Sequence, residues 1–170
     1  IIVHPSLPVK TLKDLVALAK AKPGELNVAS AGNGTITHLS GELFRSLVGV
    51  KWTHVPYKGA PPALTDLASG QVQVMFSSLP AAMAFLRANR VKPIAVSAQK
   101  RAPALPDTPT AAEAGFAGYD VEYWYGLFLP SATPKEIVAR LHDETTQVLR
   151  QPDFISNLAS QGATPGAMTQ

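Results

Sequence analysis

The chain has 170 residues, of which 46% are hydrophobic and 16% charged, the profile of a globular protein built as one domain or two small lobes. Its 15 Lys and Arg stand against 12 Asp and Glu, a net charge of +3 spread along the chain, which argues against a nucleic-acid surface. Cysteine is absent, so disulfide, thiolate and Cys-metal chemistry are excluded, and no apolar run is long enough to cross a bilayer.

In chain order, Ile1–Val3 reads as a short apolar strand ended by Pro5. The opening Ile1-Ile2-Val3-His4-Pro5 has neither an initiator Met nor a signal peptide and reads as a fragment or a processed chain. Thr11 is a predicted N-cap, with Asp14 placed for a capping box and Leu12, Leu15, Val16 and Ala19 as the buried stripe. Pro23-Gly24 stops that helix, and Leu26–Ser30 is the next strand. A glycine turn follows, then a helix to about Val48 on which Ile36, Leu39, Leu43 and Leu47 recur at helical spacing. Trp52–Val55 is a strand closed by Pro56, and Pro61-Pro62 opens a helix that ends at Gly70. Gln71–Phe76 alternates as a strand, and Ser77-Ser78-Leu79-Pro80 turns into a helix bearing Met83, Phe85 and Leu86. Ile94–Ser97 is a further strand. Thr110 is expected to cap a short helix closed by Gly115. Tyr119–Leu129 is an aromatic and apolar run ended by Pro130, in which Tyr123, Trp124 and Tyr125 can stack on a ligand or fill a hinge or core, the core reading leading. Thr133-Pro134 starts the longest helix, with Ile137, Val138, Leu141, Thr145 and Val148 on one stripe, and Pro152 starts a last helix bearing Phe154, Ile155 and Leu158.

Strands alternate with helices through the first two thirds, which predicts an α/β fold with a mostly parallel sheet flanked by helices. Ligands of such folds gather at the carboxyl ends of the strands. Four turns are expected there: Ser30–Thr35, Pro56–Ala60, Ser77–Pro80 and Ser97–Arg101. They bring hydroxyls, Tyr57, Lys58 and backbone N–H groups but no acidic residue, which weighs against a metal and against carboxylate acid–base chemistry. The turn Ser30–Thr35 combines a strand end, Gly32 and Gly34, and a helix start capped by Thr35, a ready anion site. His38 falls one helical turn after Thr35, where it can meet a ligand or brace the loop.

Other chemistries fit less well. Gly32 and Gly34 lack the third glycine of a dinucleotide fingerprint, since Thr37 occupies that offset. His4, His54 and His142 are isolated, and His54, in a strand beside Pro56, reads as structural. The leading enzyme alternative is a small α/β serine hydrolase using Ser30, Ser77 or Ser78 with Asp66 or Asp107, although none of these serines sits in a Gly-x-Ser-x-Gly elbow.

The stretch Asn27–Glu42, then His54-Val55-Pro56-Tyr57-Lys58-Gly59, then Ala63-Leu64-Thr65-Asp66-Leu67, resembles the Bug family, the periplasmic solute receptors of tripartite tricarboxylate transporters. Gly70-Gln71-Val72 with Met75-Phe76, Leu105–Thr110 with Glu113-Ala114-Gly115, Trp124 with Gly126-Leu127-Phe128, and Thr133-Pro134 extend the resemblance to the whole chain. It implies a periplasmic, non-enzymatic receptor whose two lobes close on a small carboxylate and deliver it to the membrane subunits of the transporter. No cofactor, metal or nucleic acid is implied. The implied ligand residues are Ser30, Ala31, Gly32, Gly34, Thr35 and His38, with Tyr57, Ser77 and Ser78 on the other side of the cleft.

The resemblance also implies that residues 1–124 form ligand-binding lobe 2, and that residues 125–170 hold the hinge return strand and helices of an incomplete lobe 1, so that the periplasmic-binding-protein-like fold is truncated. Binding by this chain alone is then expected to be weak. Ile137, Leu141, Val148, Phe154 and their neighbours would lose their covering sheet. Exposing four such side chains forgoes roughly 6–12 kcal/mol, which favours packing of the tail elsewhere or self-association. One departure bears on the ligand. The turn after Met75-Phe76 commonly carries Asp in the family, and here it reads Ser77-Ser78, which implies an organic or aromatic acid without an amino group.

Overall fold

The computed structural model describes residues 1–166 and divides into two units, Ile1–Tyr123 and Trp124–Gln170. In the first unit the elements are β1 (Ile2–Val3), α1 (Leu12–Ala21), β2 (Asn27–Ser30), α2 (Ile36–Val48), β3 (Thr53–Pro56), α3 (Ala60–Ser69), β4 (Val74–Met75), α4 (Leu79–Arg87) and β5 (Lys92–Pro93). The five strands form one sheet in the order β3-β2-β4-β1-β5. β2 is parallel to β3 and to β4, while β1 is antiparallel to both β4 and β5. Four strands therefore run one way and β1 runs against them. The two edge strands carry Pro56 and Pro93, where a missing N–H breaks no central ladder.

Both faces of the sheet are covered, and strand alternation sorts the core between them. Val3, Val28 and Val74 lie in one row and pack with Leu12 and Leu15 of α1, Phe44 of α2, and Trp52, Phe76 and Tyr119. Ile2, Ala29 and Met75 lie in the next row and pack with Ala63, Leu64 and Leu67 of α3 and with Ala82, Met83 and Leu86 of α4. Phe44 is the centre of the first layer, its ring meeting those of Trp52, Phe76, Phe116 and Tyr119 at 5.0–6.5 Å.

α1 has the expected capping box: the Asp14 amide donates to Thr11 Oγ1 at 3.1 Å, and Asp14 Oδ2 accepts the Thr11 amide at 2.9 Å. The carboxyl of Asp14 is held below its ordinary pKa by the amides of Lys10 and Thr11 and by the Thr11 hydroxyl. α2 turns the opposite way from its apolar spacing. Thr37, Ser40, Gly41 and Phe44 are buried, whereas Ile36, Leu39, Leu43 and Leu47 are each about half exposed. The buried hydroxyls are satisfied: Ser40 Oγ meets the Tyr123 hydroxyl at 3.0 Å, and the Ser40 carbonyl accepts from the Tyr119 hydroxyl at 3.2 Å. Gly41 lets the helix approach the ring of Phe76, which a Cβ would meet at 3.2 Å.

Three expected elements differ. Thr110 and Glu113 do exchange the two capping-box bonds, but residues 111–115 close as a turn, and Arg101 Nε also donates to Glu113 Oε2 at 2.8 Å. Ile94–Ser97 is not a strand. The ladder lies at Lys92–Pro93, and Val96 keeps a single bridge to Thr110. The hinge strand that the resemblance implies at Tyr123–Leu129 is not formed among the described residues. Trp124 and Tyr125, read as core, are 67% and 74% exposed, whereas Tyr123 donates its hydroxyl to the Phe76 carbonyl at 3.3 Å.

The second unit holds α5 (Lys135–Leu149) and α6 (Pro152–Ser160), which touch each other. Neither helix buries a residue fully, and Ile137, Leu141, Phe154 and Ile155 all stay partly exposed.

Candidate ligand-binding site

The ends of β2, β3 and β4 meet at one edge of the sheet, with Ser30 opposite Pro56 and Ala29 opposite Met75. Two of the turns leaving them are sewn together. The Tyr57 amide donates to the Ser30 carbonyl at 3.0 Å and the Gly59 amide to the Ala31 carbonyl at 2.9 Å. Gly32 sits at this seam with φ +138°, a conformation that favours glycine. Gly34 follows with φ +75°.

A relay of hydroxyls shapes the loop. The Ala31 amide donates to Thr37 Oγ1 at 2.8 Å, Thr37 and Thr35 share a bond of 2.8 Å, and Thr35 Oγ1 donates to the Gly32 carbonyl at 2.7 Å. Thr35 is the N-cap of α2 by position, but its hydroxyl is spent on this relay and does not cap the helix. Gly59 before α3 and Ser78 before α4 likewise provide no side-chain cap. None of these three helices has an acidic residue in its first turn, in contrast to α1 with its Asp14. Three helix starts therefore present partial positive charge at the edge where β2, β3 and β4 end, with no carboxylate of their own to neutralise it.

Two histidines flank the first loop. Ser30 Oγ lies 2.7 Å from His54 Nε2 and accepts the Gly32 amide at 3.2 Å. The Gly34 amide donates to His38 Nδ1 at 3.1 Å. The two imidazoles stack, with centroids 4.1 Å apart and planes within 18°. His54 is held below its ordinary pKa, first by burial and then by the neighbouring His38. A Ser–His contact of this length suits a nucleophile and base. However, Ser30 is 1% exposed, and His54 makes no hydrogen bond to a carboxylate among the described residues.

The structure thus brings Ser30, Ala31, Gly32, Gly34, Thr35 and His38 together in one loop. Tyr57 joins them through its backbone, while its hydroxyl donates to Asp66 Oδ2 at 2.8 Å. Burial and then Asp66 push that phenol up to about 12. Ser77 donates to the Ser78 carbonyl at 3.2 Å, and Ser78 is buried at the start of α4. The Ser97 turn is taken up elsewhere, its hydroxyl donating to the Val121 carbonyl at 2.6 Å. Sequence reasoning missed the participation of His54 and Thr37. Thr37 was legible in principle, two residues beyond a cap and facing back into the turn. His54 reaches the loop only through the pairing of β3 with β2.

Comparison with known proteins agrees with this architecture. The family described as "Tripartite tricarboxylate transporter family receptor" matches residues 1–170. A UPF0065 protein from the tcbD-tcbE intergenic region of Pseudomonas sp. (strain P51) is 38% identical over 154 residues, 90% of this chain and 46% of that one. Protein BugT of Bordetella pertussis is 31% identical over 165 residues, 97% of this chain and 51% of that one. Among solved structures, R. palustris Rpa4515 with adipate superposes with a TM-score of 0.95 at 40% identity, over 99% of this chain and 56% of that one. MatC (Rpa3494) from Rhodopseudomonas palustris with bound malate gives 0.91 at 37% identity, over 96% and 55%. The periplasmic binding protein BugD gives 0.90 at 33%, over 96% and 55%. The chain spans about half the length of these relatives. The matching family is one of transporter receptors and BugD is a periplasmic binding protein, neither of them a hydrolase. The chain belongs to the receptor family of tripartite tricarboxylate transporters, the family of the Bug solute-binding proteins.

Proposed function

We propose that this chain supplies one wall of a periplasmic receptor that captures a small organic or aromatic carboxylate and delivers it to the membrane subunits of a tripartite tricarboxylate transporter. The observation that carries the reading is the meeting of three uncapped helix starts, without first-turn acids, at one sheet edge. Fixed N–H dipoles there suit an anion and need no metal. Related structures contain adipate and malate, both carboxylates. In this reading residues 1–124 form the second lobe, and residues 125–170 belong to the first. In this reading Ala31, Gly32, Gly34, Thr35 and His38 line the ligand wall with Tyr57 and Ser77, and the buried Ser30 and Ser78 shape the turns behind it. Ligand closes the two lobes by binding the closed form more tightly than the open one.

Ser77-Ser78 places no carboxylate at the third turn, so nothing there pairs with an ammonium group. Calorimetry on the whole receptor tests this. Dicarboxylates such as adipate and malate, or an aromatic acid, are expected to bind more tightly than aspartate or glutamate. Tighter binding of the amino acids sinks the selectivity claim, and no binding of any carboxylate sinks the function.

A further inference from the structure

We infer that the stacked pair His38–His54 is the positioning device of the glycine loop, His38 by accepting the Gly34 amide proton and His54 by holding the Ser30 hydroxyl. The inference rests on the proposal that Ser30–Thr35 contacts the ligand. Each ring grips one end of the same short segment: His54 reaches Ser30 where the loop leaves β2, and His38 reaches Gly34 just before α2 begins. Gly34 needs such a grip. Its φ is +75°, it is exposed, and no atom outside its immediate neighbours lies within 4 Å of where a Cβ would stand. No side chain could brace the loop from that direction, and the Gly34 amide is held by its bond to His38 Nδ1 at 3.1 Å. Stacking in turn fixes the two rings against each other, although one stands on a helix and the other on a strand.

The donor arithmetic gives the two grips different characters. An amide can only donate, so Nδ1 of His38 must carry a lone pair and the neutral ring has its proton on Nε2. Protonated His38 has no acceptor and must release Gly34. Ser30 can adapt. Its hydroxyl donates to His54 Nε2 when that nitrogen is bare, and can turn to the Gly32 carbonyl at 3.3 Å when that nitrogen bears a proton. The charged groups acting on His54 are His38 and Glu42, both on α2, and Glu42 is itself paired with Arg45. Two imidazolium rings at this stacking distance repel, and burial together with His38 holds His54 below its ordinary pKa.

The test follows amides and ring nitrogens of the whole receptor by NMR from about pH 8 to about pH 5. The Gly34 amide is expected to shift and exchange faster in acid, where a protonated Nδ1 cannot accept it, while the Gly32 amide keeps its bond to Ser30. His38→Asn, whose Oδ1 can stand in for Nδ1, is expected to keep Gly34 held and to abolish the titration. His38→Phe keeps a stacking ring without an acceptor, and its Gly34 amide should resemble the acid form at every pH. Carboxylate affinity should fall about tenfold further in His38→Phe than in His38→Asn, which keeps the acceptor for Gly34. A Gly34 amide that does not titrate in the wild type, or identical behaviour of the two variants, overturns the inference. Should Gly34 titrate as described while affinity ignores both variants, the positioning role stands and the loop is not the ligand site.

Discussion

Gly32 and Tyr57 approach so closely that a Cβ on Gly32 would stand 3.1 Å from the Tyr57 carbonyl oxygen. That oxygen is backbone and cannot swing aside, and the φ of +138° strains any L side chain. Gly32→Ala is therefore expected to destabilise the protein by about 1–3 kcal/mol, measured by chemical denaturation. It should also loosen the seam, seen as faster hydrogen exchange of the Tyr57 and Gly59 amides. An unchanged midpoint with unchanged exchange would contradict the account.

Gly41 presents a different balance. Alanine there gains about 1 kcal/mol of helix propensity. It also drives a methyl group to 3.2 Å from the Phe76 ring, which is wedged against Phe44, Trp52 and Tyr119 and has no room to give. Overpacking of this kind costs about 1–3 kcal/mol, so Gly41→Ala is expected to lower stability by about 1 kcal/mol net. Thermal unfolding of the variant beside wild type decides the sign.

His54 gives stability a pH dependence. Its folded-state pKa is lowered, so the unfolded chain binds the proton first. The contribution is fully present above the ordinary value near 6.5 and is lost as pH falls through the folded pKa. Tyr57 acts at the other end. Its pKa is raised to about 12, so its contribution holds below about 10 and is lost as pH climbs toward 12. Unfolding midpoints across pH should flatten on the acid side in His54→Gln and on the alkaline side in Tyr57→Phe. Limbs identical to wild type would count against both assignments.

Ile36, Leu39, Leu43 and Leu47 of α2 are each about half exposed, and we propose that this stripe can pair copies of the chain. Sedimentation velocity over a range of concentrations is expected to show reversible growth in mass. Leu39→Gln with Leu43→Gln should weaken it, while each exposed site changes stability by only about 0.5 kcal/mol. A single monomer peak at every concentration would rule the association out.

Local chemistry was the readable part of the sequence. Thr11 with Asp14, prolines at the starts of α3, α4 and α6, and the left-handed Gly70 announced their helix boundaries through bonds within a few residues. The Ser30–Thr35 turn was legible for the same reason. What failed depends on partners distant in sequence. The spacing of Ile36, Leu39, Leu43 and Leu47 marks an apolar face on α2 but does not say which way it points. The helix buries Thr37, Ser40 and Gly41 because hydroxyl partners and the Phe76 ring wait on that side. Tyr123–Leu129 has strand composition, but among the described residues no strand pairs with it. His54 looked isolated because its link to Ser30 exists only once β3 lies against β2.

The reversed strand has a consequence for how the sheet is assembled. Ile2 pairs with Met75 and Pro93, and Val3 with Val74 and Lys92, so β1 has no neighbour until β4 and β5 are in place. β2 and β3, by contrast, pair across a single intervening helix. Loop closure over so long a span is slow, and the middle of the sheet must wait for it. The earliest strand in the order of the chain is thus expected to be among the last seated, and a folding experiment should find the β2–β3 edge protected before Ile2 and Val3.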